Sequence, residues 1–220
     1  MNEVLLYETF DKPAFDTQLN WFCPPKTWRI RNSCLIIEPD AKTDYWQKTH
    51  YGFVADNGHF LYADVSGDFV LTTRVCFHPA HQYDQAGLLV RILPQCWLKT
   101  SVEYEFDEPN KLGVVVTNYG YSDWSTQDFP KDCHEIMLRV RREGSVYLVE
   151  YVNPPEQGDI AENWTQIRMA YLHDDDGEMI VQSGLYACSP IGSGYSAEFD
   201  FLKIEKGRII DIIRNKKKCS

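Results

Sequence analysis

Trp97-Leu98-Lys99-Thr100-Ser101-Val102-Glu103-Tyr104-Glu105-Phe106 has the period of a β-strand. Trp97, Lys99, Ser101, Glu103 and Glu105 fall on one face, and Leu98, Thr100, Val102, Tyr104 and Phe106 on the other, because successive side chains in a strand point to opposite sides. The pattern predicts that the first face is solvated and the second is core. Ala86 to Leu93 precedes it as a near-continuous apolar run ended by Pro94, and Leu112 to Asn118 follows the turn Asp107-Glu108-Pro109-Asn110. Three successive strands with short connections form an antiparallel meander whose side chains share faces.

The same grammar extends outward. From Phe69 to Phe77, the residues Phe69, Leu71, Thr73, Val75 and Phe77 alternate with Val70, Thr72, Arg74 and Cys76 after the turn Ser66-Gly67-Asp68. Beyond a loop predicted from Tyr119 to Cys133, Ile136 to Arg142 and Val146 to Val152 flank the hairpin turn Glu143-Gly144-Ser145. Met169 to His173 and Met179 to Cys188 flank Asp174-Asp175-Asp176-Gly177, whose residue types suit a reversal. Tyr195 to Glu205, with Ala197, Phe199 and Phe201 on one face, is expected to pair with Val4 to Phe10, and Ile209 to Arg214 reads as a short helix. Many strands, regular turns and no repeat or linker predict one antiparallel two-sheet β-sandwich over residues 1–206, with residues 207–220 a tail or short helix.

Composition agrees with that class. Six Trp, thirteen Tyr and eleven Phe favour pleated surfaces. A formal charge of −10, from 32 acidic and 22 basic residues, opposes attraction to nucleic acid or an anionic membrane, so neither is expected as a partner. Lys216, Lys217 and Lys218 read as a solubilising end. The start has no secretory signature and no run is long enough to span a bilayer. The seven scattered Cys lack Cys-x-x-Cys or zinc-like spacing, so the expectation is a cytoplasmic protein with reduced thiols, for which the sequon Asn163-Trp164-Thr165 is a chance triplet.

Function is sought on the meander. A ring at Trp97 beside Lys99, Glu103 and Glu105, with Arg91 on the neighbouring strand, has the make-up of a saccharide site: the ring stacks on C–H faces and the charged groups bond hydroxyls. An ordinary solvent-facing strand has the same make-up. The second segment is Val115-Val116-Thr117-Asn118-Tyr119-Gly120-Tyr121-Ser122-Asp123-Trp124-Ser125, rich in rings and hydroxyls at a strand end. It also reads as a compact loop packing Trp124 on the body.

The segments Asp84 to Arg91, Trp97 to Glu103 and Val116 to Ser125, together with Trp21-Phe22-Cys23-Pro24-Pro25, Gly184 to Pro190 and Phe199-Asp200-Phe201, resemble the DUF1349 family. That family includes the "regulation of enolase protein 1" group and lies in the concanavalin A-like lectin/glucanase superfamily; it also resembles the accessory sandwich of some β-xylosidases. The resemblance covers residues 5 to 205 and implies a concanavalin A-like jelly roll. It marks Gln85, Arg91, Trp97, Lys99, Glu103, Asn118, Ser122, Asp123 and Trp124 as candidate ligand-binding residues, without established roles.

The resulting expectation is a noncatalytic, intracellular, lectin-like module for a saccharide or small polar metabolite, with no cofactor and no bound metal. One alternative is a protein-interaction or metabolic regulatory module using the same face, as the family name implies. Another is a glycoside hydrolase with Glu103 as catalytic carboxylate: Glu103-x-Glu105-x-x-Glu108 nearly matches the Glu-x-Asp-x-x-Glu strand of related β-glucanases, but has Glu for the central Asp and sets Glu108 in a turn before Pro109. Weaker readings give His78, His81 and Asp84, or Asp174 to Asp176 with Glu178, to a metal, and Ser122 to nucleophilic attack without a recognisable base.

Overall fold

The computed structural model describes residues 3–153 and 163–207, so the helix expected over 209–214 lies outside the described residues. In chain order the strands are β1 (Val4–Glu8), β2 (Asn20–Phe22), β3 (Thr27–Arg31), β4 (Cys34–Glu38), β5 (Tyr45–Gln47), β6 (Val54–Asp56), β7 (His59–Val65), β8 (Phe69–His78), β9 (Gln85–Leu93), β10 (Cys96–Glu103), β11 (Asn110–Asn118), β12 (Tyr121–Phe129), β13 (Glu135–Glu143), β14 (Val146–Val152), β15 (Thr165–Tyr171), β16 (Val181–Cys188) and β17 (Ser196–Lys206). One sheet runs β15-β14-β13-β8-β17-β4-β3, with β1 also on β17, and the second runs β12-β11-β10-β9-β16-β7-β2. Every pair in both is antiparallel, and the result is the expected two-sheet sandwich.

The core lies between the sheets. Phe69, Leu71, Val75 and Phe77 of β8 meet Leu88, Val90, Leu98, Val114 and Leu185 from the second sheet, so the alternation expected over Phe69 to Phe77 holds. β1 pairs with β17, as expected for the terminal strands.

Three expectations are corrected. The supposed loop after Asn118 is strand β12, paired with β11 throughout its length. Its turn is Tyr119-Gly120, both at positive φ (56° and 74°), the two-residue connection whose twist matches a hairpin and which Gly adopts without strain. β10 stops at Glu103: Tyr104 instead exchanges backbone bonds with Tyr83 and Asp84, and Phe106, expected in the core, is exposed. Phe201 does not share a face with Ala197 and Phe199, because a bulge at Asp200 reverses the parity. Leu202 and Ile204 take the inward places, and Phe201 packs edge-on against Tyr7, outside. The Asp174 to Gly177 segment joins β15 to β16, which lie in different sheets, so the reversal expected there is a crossover between sheets.

Asp175 is what fixes that crossover. Its carboxylate is fully buried and accepts Nε and Nη2 of Arg142, also fully buried, and the Tyr147 hydroxyl at 2.6 Å. Arg142 donates further to the carbonyls of Gly67 (2.9 Å) and Met179 (3.3 Å). Burial and the adjacent carboxylate push the Tyr147 phenol far above its ordinary range.

The outer face of the second sheet is where the molecule departs from a plain sandwich. The hairpin β5–β6 crosses it, and Tyr45, Trp46, Phe60, Leu89, Trp97, Val115, Tyr186 and Cys188 form a second core between hairpin and sheet.

Candidate functional site

Where that second core ends, a cleft of about 240 Å³ opens. Its walls are Trp46, Tyr51 and Phe53 of the hairpin and Tyr83, Val115 and Trp124; its floor is Asp44, Gln85, Lys99 and Glu103. The hairpin rings pack on one another, with centroids 5.6 Å apart for Trp46–Tyr51, 6.1 Å for Tyr51–Phe53 and 6.4 Å for Trp46–Phe53. Trp124 is half-exposed on edge strand β12, and its indole lies over Gly113, where a Cβ would come 2.7 Å from Nε1. Gly113 therefore sets the position of this wall.

The floor is tightly bonded. Lys99 Nζ lies 3.2 Å from Asp44 Oδ1, which also accepts the backbone amide of Tyr45 at 2.7 Å. Gln85 Nε2 donates to the Tyr83 carbonyl (3.2 Å) and to Glu103 Oε2 (3.0 Å), while its Oε1 accepts the Tyr186 hydroxyl (3.1 Å). Both amide hydrogens are committed, so the side chain has one orientation.

Of the nine candidates, Gln85, Lys99, Glu103 and Trp124 line this cleft. The face expected to be solvated is instead covered: Trp97, Lys99 and Ser101 are buried beneath the hairpin. Trp97 is a core residue whose indole donates to the Pro94 carbonyl at 3.1 Å, and it has no surface to offer a ligand. Arg91 holds the hairpin through Asp56 (Nη2–Oδ2 2.7 Å) and stacks on Phe22 at 4.4 Å. Ser122 does the same, accepting the Gln47 amide at 2.9 Å and bonding the Thr117 hydroxyl at 2.8 Å. Ser122, Asp123 and Trp124 also border a wider, more open depression beside the cleft, and Asp123 pairs with Arg168 at 2.9 Å. Asn118 joins the Tyr171 carbonyl to the His173 amide and lies outside the cleft.

The other motifs have local roles. Asp84 accepts the amides of Ala80 and His81 and the Ser189 hydroxyl. Asp176 caps the amides of Glu178 and Met179. Among the described residues no group of three or more His, Cys, Asp or Glu side chains is placed to hold a metal, six cysteines are free thiols, and no helix is long and apolar enough to cross a membrane.

Residues 21–207 match the family described as "Protein of unknown function (DUF1349)". The chain belongs to the DUF1349 family. It is 33% identical over 183 residues to "Regulation of enolase protein 1" of Saccharomyces cerevisiae, covering 83% of this chain and 87% of the yeast protein. A crystal structure of a functionally unknown protein from Saccharomyces cerevisiae superposes with a TM-score of 0.77 at 31% identity, over 87% of this chain and 98% of that one. A xylan β-1,4-xylosidase from Bacillus halodurans C-125 shares the fold at TM-score 0.73 and 13% identity, over 91% of this chain but 39% of the enzyme. A β-1,3-glucanase from Mycobacterium marinum does so at 0.56 and 14%, covering 91% of this chain and 98% of the enzyme. The DUF1349 domain is thus a jelly-roll sandwich of the kind found in glycoside hydrolases, and at such identities the likeness concerns the fold alone.

In this DUF1349 protein the glucanase-like motif does not assemble as a cleft. Glu105 accepts from Gln82 at 2.6 Å, and Glu108 is an exposed partner of Lys111 at 3.4 Å; neither lines the cleft. The carboxylate that shares the cleft with Glu103 is Asp44, more than fifty positions earlier in the chain. Glu103 is the perturbed group: desolvation raises its pKa from 4.5 to about 8, against a lowering by Lys99, while Asp44 and Glu105 add to the rise. The native state therefore holds this proton more tightly than the unfolded chain, so stability falls as pH rises from 4.5 toward 8 and is level on either side. Glu103→Gln removes that slope. We expect the variant to gain about 1–2 kcal/mol over wild type at pH 8, allowing for solvent in the cleft, and almost nothing at pH 4.5, as read by urea denaturation at both pH values.

Proposed function

We propose that this DUF1349 protein is a noncatalytic binding module, and that the cleft under the β5–β6 hairpin receives a saccharide or small polar metabolite. The observation that carries the reading is a set of aromatic walls over a floor of oriented polar groups: Trp46, Tyr51, Phe53 and Trp124 above Gln85, Lys99–Asp44 and Glu103. Mostly apolar pockets with a few convergent polar groups are the usual form of small-ligand sites. Asp44, already held by Lys99 and a backbone amide, is poorly placed to act as a second catalytic carboxylate, which favours binding over hydrolysis. The free thiols support a reducing, cytoplasmic setting.

Isothermal titration against a panel of saccharides and polar metabolites tests the reading. Trp124→Ala is expected to weaken any hit on the order of tenfold or more, as loss of a stacking ring does, while leaving the melting temperature nearly unchanged. Hits insensitive to Trp124→Ala, or a panel with none, would contradict it.

A metabolic regulatory role through a protein partner has its own support, in the name of the yeast relative and the exposed rings of Tyr51 and Phe53 at the cleft. A stoichiometric partner retained by wild type and lost on Trp124→Ala in a pull-down favours that role.

A further inference from the structure

One carboxyl of the cleft, Glu103, has no charge partner for its ionised form among the described residues. Lys99 is neutralised by Asp44, and its ammonium also sits over the rings of Trp97 (6.0 Å) and Tyr186 (5.9 Å). The other nearby cations are engaged as well: Arg91 with Asp56, and Lys48 over the Tyr121 ring at 5.3 Å. Glu103 is different. Its Oε2 accepts a neutral amide hydrogen from Gln85, and among the described residues no cation stands within ion-pair distance of it.

We propose that the ligand of this cleft carries one positive charge, an alkylammonium or guanidinium group, seated against Glu103 between the rings of Trp46, Tyr51, Phe53 and Trp124. The inference rests on the reading of the cleft as a ligand site and narrows its class. Aromatic faces attract cations through their quadrupole, most strongly where water is displaced, and a carboxylate at the floor adds a charge partner. An anion would meet Glu103 and the negative ring faces, and the cation of the floor, Lys99, is already paired with Asp44. With a neutral ligand Glu103 would keep the proton that burial favours, whereas a cation would hold its ionised form. The chain's net charge of −10 acts in the same direction by drawing cations to the surface.

Choline and 3,3-dimethylbutan-1-ol have nearly the same shape and differ in charge, so they separate charge from fit. Titrated into the full chain and followed through the indole N–H signals of Trp46 and Trp124, choline is expected to bind on the order of tenfold more tightly than the alcohol. That preference should fall in both Glu103→Gln and Trp124→Ala. The groups facing Glu103 are Lys99, Asp44 and Glu105, with Tyr186 and Cys188 on β16. Because the cation selects the ionised carboxyl, choline affinity should rise up to about tenfold per pH unit from pH 6 and level off near pH 8. Equal affinities, or a preference for the alcohol, overturn the proposal. So does a neutral saccharide binding at these indoles with no loss in Glu103→Gln, which would leave the binding-site reading standing. Silence of both indoles to cationic and neutral ligands alike overturns both.

Discussion

Asp175→Ala is expected to destabilise the fold by about 3–5 kcal/mol, the cost of leaving a charge buried without its partner. Arg142 would keep only two carbonyl acceptors, from Gly67 and Met179, in a place with no solvent access, and Tyr147 would lose its acceptor too. Against a total stability of roughly 5–15 kcal/mol for a domain, one substitution would thus remove a large share. Urea denaturation gives the number. Replacing both partners together, Asp175→Leu with Arg142→Leu, should recover part of the loss, because no charge is then stranded. A single-variant cost below about 1 kcal/mol would show that the pair is hydrated in solution.

Trp97→Ala is the second large effect, again about 3–5 kcal/mol, from a void at the centre of the second core. The indole packs edge-on against Tyr45 at 5.9 Å and beneath the hairpin, so the loss should loosen β5–β6 and the cleft walls it carries. Trp97→Phe, which keeps most of the volume, should cost less and bind ligand like the wild type. Trp124→Ala should behave in the opposite way, weakening ligand with little effect on the urea midpoint. If Trp97→Phe abolishes binding while the fold stays intact, Trp97 touches ligand after all.

The contrast between those two tryptophans shows how far the sequence could be read. The parity of β10 was legible, because strand period is a local property, and Trp97, Lys99, Ser101 and Glu103 do share a face. That the face is covered was not, since the cover comes from residues 44–57, half a sheet away in sequence. Asp44, Trp46, Tyr51 and Phe53 were missed for the same reason, although Tyr45-Trp46 and Tyr51-Gly52-Phe53 form an aromatic cluster as dense as the one around Trp124. β12 was mistaken for a loop because an edge strand that buries only Ser122 and Phe129 carries no apolar alternation. Its hairpin was signalled by Gly120. The reversal at Asp200 did leave a trace that was overlooked: apolar residues stand at odd positions up to Phe201 and then at Leu202 and Ile204, with charges at 203 and 205, the switch of parity that a bulge makes.

Whether the cleft binds a ligand is read from the indole N–H spectrum of the full chain during titration with a panel of saccharides and small polar metabolites. The six Trp report separately on the cleft (Trp46, Trp124), the second core (Trp97) and sites away from the cleft (Trp21, Trp28, Trp164). A ligand of the cleft is expected to shift Trp46 and Trp124 together, to leave Trp21 and Trp28 in place, and to lose affinity in Glu103→Gln. Saturable shifts confined to Trp21, Trp28 or Trp164, with Trp46 and Trp124 unmoved, would contradict it.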